Sequence, residues 1–364
     1  MTNPIYKCLE FIRYCLIEYR PVHLSCEKKD WECLNAFASQ QAVSAIVFNG
    51  LERLGGDVVN VPRDLLFSWI AENEQIKRRN LLLNNRCFEL VKQLQYDGFQ
   101  CCILKGQGNA LMYPNPFLRT PGDIDVWVRS MSDGRCNKDE IIRYAKMQNP
   151  KAEVRFYHVE YEWKGVPVEL HYMPGIMNNP IYNRRLQQWY NRKADEGFKM
   201  AELPDGVGEI PVPTVEFNIV FQLAHMMHHF FDEGIGLRQF VDYYYLLKSV
   251  HGERLMVLGD VGETLKHLNL YCFAGAVMYI MKEVLGLNEK YLIVPVDERR
   301  GKTLLKEILQ GGNFGHYSGL DQKNALTKYF QKTWRNMKLV REYPAEALCE
   351  PVFRTWHFFW RLRH

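Results

Sequence analysis

In the stretch Gly122-Asp123-Ile124-Asp125-Val126-Trp127-Val128, two carboxylates interrupt what otherwise reads as a buried strand. Residues two apart in a strand project from one face, so Asp123 and Asp125 stand side by side while Ile124, Val126 and Val128 turn toward a core. Neighbouring carboxylates repel, and burying them uncompensated is costly. A divalent cation removes the difficulty, because Mg²⁺ takes one or two carboxylates together with waters and substrate phosphates. A polar strand face with each acid paired to an arginine accounts for a bare D-x-D equally well. A third acid shifts the balance. In Val166-Pro167-Val168-Glu169-Leu170-His171, Glu169 and His171 share one face, and Val168 and Leu170 the other. If that strand lies beside the aspartates, three carboxylates form a site for two ions roughly 3.5–4 Å apart, the clamp used in phosphoryl displacement.

Other residues could handle phosphate. Leu104-Lys105-Gly106-Gln107-Gly108 ends a short apolar run and opens a helix expected over 107–112. Glycines at such a turn let backbone N–H groups approach an anion, with Lys105 or Arg119 to neutralise it; a plain strand-to-helix turn explains the same residues. His225 with His228 or His229 has the i, i+3/i+4 spacing of a metal pair. No H-E-x-x-H and no nearby cysteine completes a ligand set, which favours polar positions facing a cleft. Arg238 and Asp242 stand i, i+4, consistent with a surface salt bridge worth about 0.2–0.5 kcal/mol, or with Arg238 and His228 directed at a triphosphate or acceptor.

The elements that must hold these residues follow from the patterning. Residues 1–98 are helical by the three- and four-residue recurrence of Ile5, Leu9, Ile12 and Leu16, and again of Leu34, Phe37, Val43 and Ile46. A longer helix is expected from about Pro62 to Tyr96, with proline at its start and Gly98 past its end. Short strands are expected at 99–104 and 122–128, a helix at 137–147, and a hairpin from Glu153 to His171 turning at Lys164-Gly165. Pro204 to Pro213 reads as a linker or hairpin, and Thr214 caps a helix. The remainder is helical, with a break at Gly311-Gly312. The expectation is an α+β fold: an N-terminal helical domain over 1–98, a small mixed-sheet catalytic core over 99–203, and a C-terminal helical domain over 204–364.

A strand ending in glycine, a short helix, then D-h-D and a later strand with a third acid resembles the polymerase β-like nucleotidyltransferase superfamily. More closely, the chain resembles an uncharacterised bacterial nucleotidyltransferase family through Leu104-Lys105-Gly106, Tyr113-Pro114-Asn115-Pro116, Arg119, Asp123-Ile124-Asp125 and Val168-Glu169-Leu170-His171. The resemblance extends from the helical block before residue 98 to about Leu247. It implies that Asp123, Asp125 and Glu169 are the catalytic residues and ligate Mg²⁺ or Mn²⁺, as two ions. It assigns nucleotide binding to Lys105, Gly106, Gln107, Gly108, Arg119, His228 and Arg238. The implied reaction moves a nucleoside monophosphate from a nucleoside triphosphate to an acceptor hydroxyl and releases pyrophosphate. Two departures stand out: Gln107 replaces the superfamily's usual serine, removing a hydroxyl contact to phosphate, and the segment from Gly106 to Asp123 is longer than usual, with three prolines.

Two rival classes share some of these features. A D-x-D glycosyltransferase leaves Glu169 and the Lys105-Gly106 turn unexplained, and no Rossmann-like βαβ series precedes the motif. A non-catalytic nucleotide-binding or antitoxin-like scaffold would not require all three acids. With 46 basic and 42 acidic residues, bulk charge makes no case for a nucleic-acid binder. The acceptor could be a sugar, an antibiotic, a protein side chain or an RNA end. Ten scattered cysteines with no C-x-x-C suit reduced thiols in the cytoplasm. The N-terminus reads as neither signal peptide nor membrane span. The aromatic and basic VFRTWHFFWRLRH reads as a helix docked on the protein's own core, with contact to a membrane surface as the lesser alternative.

Overall fold

The computed structural model describes residues 4–17, 27–54, 60–130, 137–250, 254–311 and 325–361. Three helices, α1 (Pro4–Leu16), α2 (Lys28–Gln40) and α3 (Ser44–Leu54), open the chain. Then α4 (Arg63–Tyr96) runs for 34 residues behind Pro62, close to its expected span. Its first part adds Trp69 to the helical core, and its second lays Leu83, Cys87, Leu90, Val91 and Leu94 on the central sheet.

That sheet contains β1 (Phe99–Ile103), β2 (Ile124–Ser130), β3 (Glu153–Val154), β4 (His158–Trp163) and β5 (Val166–His171), in the order β1-β2-β5-β4-β3. Only β2 and β5 run parallel; the other neighbours are antiparallel. The hairpin β4–β5 turns at Lys164 and Gly165, with φ of 48° and 78°, as a two-residue turn of the primed type demands. Short α5 (Gln107–Ala110) and then α6 (Lys138–Gln148) fill the connections. Strand β2 is buried on both faces. Ile124, Val126 and Val128 meet α4, while Trp127 stacks on Phe217 at a centroid separation of 5.7 Å.

Beyond the sheet lie α7 (Pro180–Asp195) and a two-stranded hairpin, β6 (Lys199–Leu203) and β7 (Gly208–Val212), which settles the Pro- and Gly-rich stretch as a turn. Next come α8 (Val215–Phe231), α9 (Leu237–Ser249), α10 (Arg254–His267), α11 (Tyr271–Tyr279) and α12 (Glu298–Gly311), followed by α13 (Ala325–Lys338) and α14 (Pro344–Arg361). Thr214 caps α8 by accepting the Phe217 N–H at 3.4 Å. Gly311 ends α12, and Gly312 lies outside the described residues. The protein is thus an α+β fold, a small mixed sheet between helical flanks. The first and last helices share one apolar core. Fully buried Gln41, just past α2, links the N-terminal helices to α9 and α12 by accepting the Leu237 N–H at 2.8 Å and donating to the Ile308 carbonyl at 3.1 Å.

The C-terminal helix docks onto the sheet side of the molecule. Phe156, in the β3–β4 connection, meets Phe353, Trp356 and Trp360 of α14 with ring centroids 5.5, 5.1 and 6.1 Å away. Val352, Phe358 and Phe359 remain exposed. Among the described residues, no helix is long and apolar enough to cross a membrane. Buried Glu346 anchors the start of α14 by accepting the Asn178 and Asn179 N–H groups at 2.7 and 3.2 Å.

Burial pushes Glu346 from 4.5 up to about 7, against the lowering effect of those amide bonds. An acid whose folded pKa is raised contributes stability that is present below its unfolded pKa and lost as pH rises through its folded one. The unfolding free energy of the native chain, relative to Glu346→Gln, should therefore fall between about pH 4.5 and pH 7. The expected change is on the order of 3 kcal/mol. Urea unfolding of both proteins across that window is the check, and parallel curves would remove Glu346 from the account.

Candidate active site

The parallel pairing of β2 with β5 sets Asp125 directly opposite Glu169. Asp123 lies one residue before β2, on the same side. Carboxylate oxygens of Asp123, Asp125 and Glu169 all fall within 4.8 Å of one another. Lys105, just past β1, brings Nζ to 2.9 Å from Asp125 Oδ1. His171, two residues after Glu169, places Nε2 at 3.1 Å from both Asp125 Oδ1 and Glu169 Oε2.

These contacts separate the three acids electrically. Burial alone would raise Asp125, but Lys105 and the His171 hydrogen bond outweigh it and hold the carboxyl well below its usual range. Burial likewise opposes ionisation of Glu169, and His171 and His158 offset it, leaving the pKa lowered. Asp123 goes the other way. The adjacent Asp125 charge, then burial and Glu169, push it up to about 6. Burial disfavours a charged His171, yet its bonds to the two carboxylates lift it to about 9. Burial also acts against the Lys105 charge, and Asp125, Asp123 and Glu169 together raise its pKa.

The turn after β1 is shaped by glycine. Gly106 has φ +56°, and a Cβ there would stand 3.3 Å from the Asp123 carbonyl oxygen, so the backbone passes close to the acids in a conformation that side chains rarely adopt. Gly108 serves packing instead, since its Cβ would meet the Ile103 carbonyl at 3.2 Å and Val212 at 3.3 Å. Gln107 is buried and turned away from the acids, donating to Asn84 Oδ1 on α4.

Arg119 is held in a buried network. Its Nε and Nη2 each donate to Asp242 at 2.9 Å, and Tyr113 Oη donates to the same carboxylate at 2.6 Å. Asn109 Nδ2 joins at 3.3 Å. Asp242 is therefore committed across the fold to Arg119, where the i, i+4 spacing suggested Arg238. Arg238 instead sends Nη1 to the Thr120 carbonyl at 3.4 Å, beside Gly122. His225 lies 3.3 Å from Lys105 Nζ. His228 is kept neutral by burial, down to about 4, against the pull of Asp232.

A cleft of 1340 Å³ connects these groups. Lys105, Gly106, Arg119, Asp123, Asp125, Glu169, His228 and Arg238 line it, while Gln107 and Gly108 do not. Its other wall belongs to Lys332 of α13 and to Phe353, Arg354, His357 and Arg361 of α14. A family model described as an uncharacterised nucleotidyltransferase matches residues 27–286. The chain belongs to that nucleotidyltransferase family. An antigenic nucleotidyltransferase-like protein from Paracoccidioides brasiliensis has a solved structure similar at 13% identity, covering 52% of this chain and 92% of that one, with a TM-score of 0.31. No curated protein matches the chain.

In this nucleotidyltransferase the matched region stops between α11 and α12, so the α13–α14 wall lies beyond it. From the sequence, the last of these residues dock on the protein's own core, but that wall is not brought to the acids, because nothing local to residues 332–361 reports what they dock against. His158 and Glu160 were also missed, although a signal existed. The two-residue turn at Lys164-Gly165 fixes the hairpin register, pairing His158 with His171 and Glu160 with Glu169. Together with Asp125, these put charged or imidazole groups from three strands on one sheet face.

The Arg119–Asp242 pair offers a test of this framework. Asp242→Ala leaves a buried guanidinium uncompensated and should cost about 3–5 kcal/mol, whereas Arg119→Met with Asp242→Leu should recover most of that loss. Chemical denaturation of the single and double variants measures both.

Proposed function

We propose that this nucleotidyltransferase moves a nucleoside monophosphate from a nucleoside triphosphate to an acceptor hydroxyl, in a reaction that needs a divalent metal and releases pyrophosphate. The observation that carries this reading is the register placing Glu169 opposite Asp125, with Asp123 beside both. Three carboxylates face two cationic partners, Lys105 and His171, and Asp123 is the acid left without a neighbouring cation in contact. An all-oxygen donor set with surplus negative charge fits a hard divalent ion. Asp123, Asp125 and Glu169 would hold it, as Mg²⁺ or Mn²⁺ and as two ions. Such ions, when bound, stabilise the attacking and leaving oxygens of an in-line displacement.

The chain's own groups supply the rest. Glu169, held ionised by His171 and His158, takes the acceptor's proton as its oxygen attacks the α-phosphorus. The bond to the bridging oxygen breaks, and pyrophosphate leaves with the electron pair. Lys105 and Arg238, both lining the cleft, meet the phosphates. Arg119 supports this end of the site by fixing the loop before Asp123. The acceptor enters along the opposite wall, where Phe156 and Phe353 offer aromatic faces and Arg354, His357 and Arg361 polar ones.

Asp123→Asn and Asp125→Asn should each abolish transfer while the fold persists. Their stabilities in chelator should diverge: Asp123→Asn relieves repulsion and raises the melting temperature, and Asp125→Asn strands Lys105 and His171 and lowers it. Glu169→Gln should still bind triphosphate but lose about 10²–10⁴-fold in rate, as for a positioned base. Incubation with labelled triphosphates and cell extract, with pyrophosphate and nucleoside diphosphate both assayed, reads the outcome. Near-native transfer by either aspartate variant would refute the assignment. Nucleoside diphosphate formed from the triphosphate would indicate γ-phosphoryl chemistry, and its release from an added nucleoside-diphosphate sugar would indicate sugar transfer.

A further inference from the structure

The sheet face that carries the acids also carries two imidazoles that the proposed transfer reaction does not use as ligands. His158 on β4 is the cross-strand partner of His171 on β5, and Glu160 is that of Glu169. Residues two apart share a face, so all four side chains project together. His158 and His171 are 5% and 2% exposed, and neither Nδ1 atom has a hydrogen-bond partner. Both Nε2 atoms converge on one carboxylate. His171 Nε2 is 3.1 Å from Glu169 Oε2, and His158 Nε2 is 3.7 Å from Glu169 Oε1. His158 Nε2 also stands 3.7 Å from Glu160 Oε2, beyond ordinary hydrogen-bond length. The donor atoms of His158, Glu169 and His171 all fit within 4.8 Å of one another.

His171 Nε2 is hydrogen-bonded to Asp125 and Glu169, and a bound ion would take the place of that shared proton. His158 Nε2, 3.7 Å from Glu169 Oε1 and from Glu160 Oε2, is within reach of a ligand set without a short hydrogen bond to either. Tetrahedral ligands bonded at about 2.1 Å stand roughly 3.4 Å apart. Each imidazole nitrogen is near that distance from one oxygen of Glu169, His171 at 3.1 Å from Oε2 and His158 at 3.7 Å from Oε1. The donor set also differs in kind from the aspartate side. Two imidazoles and a carboxylate suit zinc or another first-row transition ion, whereas Mg²⁺ prefers oxygen alone.

We propose that His158, His171 and Glu169 form a binding site for a transition-metal ion, joined through Glu169 to the oxygen-only site at Asp123 and Asp125. It rests on the reading above in one respect, that those aspartates take the harder ion. Glu160 flanks the site, 3.7 Å from His158 Nε2 and held on its other oxygen by Arg155. The site makes the protein a mixed-metal enzyme, in which the transition ion differs from the ions at the aspartates in ligand chemistry and in its response to chelators.

The test uses the full chain, stripped of metal and titrated with Co²⁺ in excess Mg²⁺, with bound metal counted after desalting and the visible ligand-field absorption recorded. The native chain should hold one Co²⁺ per chain with an intense low-coordinate band. His158→Ala and the milder His158→Gln should weaken Co²⁺ binding by about a hundredfold or more, with circular dichroism confirming that they fold. Asp123→Asn should keep the band, because it belongs to the other ion. Displacement of Co²⁺ by Mg²⁺, or native-like Co²⁺ binding by folded His158 variants, would overturn the proposal. So would loss of the band in Asp123→Asn alone, which would put the cobalt among the aspartates. None of these readouts depends on transfer activity, so a failed transfer assay and a failed metal assay remain separate results.

Discussion

Asp125 is a carboxylate buried in the middle of a sheet, within reach of two other acids and held well below its usual range, and much of the molecule around it is arranged to make that tolerable. Its two compensating contacts come from opposite directions: Lys105 at the end of β1 and His171 at the end of β5. Each fixes an element. Lys105 must leave β1 at the right height, which the Gly106 backbone allows, and it is backed by His225 from α8. His171 must stay in register beside β2, which the tight hairpin at Lys164-Gly165 and the parallel β2–β5 pairing enforce. Removing any of these would leave a charge in an environment where an unpaired one is very costly.

The division of labour among the acids follows from that compensation. Asp125 and Glu169 receive cationic help and stay ionised, whereas Asp123 receives mostly repulsion. An acid raised to about 6 by its neighbours' charge gains from an added cation, which relieves the repulsion and has few protons to displace near pH 7. The same sheet face extends past Glu169 into imidazoles, so oxygen donors grade into nitrogen donors across three strands.

The acids were legible in the sequence because strand alternation is strict: Asp123, Asp125 and Glu169 announce their face through the apolar residues between them. The long helix before the sheet and the turn at Lys164-Gly165 were legible for the same local reasons. What failed to show was whatever depends on distant partners. Asp242 looked like a helix-surface mate for Arg238, yet α9 is buried and its acid faces Arg119, more than a hundred residues earlier in the chain. Gln107 sat in a phosphate-loop position, but the chain turns its amide into α4. Local spacing states which groups can meet, and burial decides which do.

The cleft has two walls of different origin. The acids stand on the sheet within residues 27–286, while the facing wall comes from α13 and α14, outside the family match. The later helices hold on at a few polar pins: Lys332 to Asp232, Asn336 to the Phe231 carbonyl at 3.0 Å, and Glu346 to the amides of Asn178 and Asn179. Between the pins, Phe353, Trp356 and His357 meet the sheet side through one residue, Phe156. The cleft is therefore built like a clamp whose blade lies inside the family match and whose jaw lies outside it, held to the blade by a handful of pins.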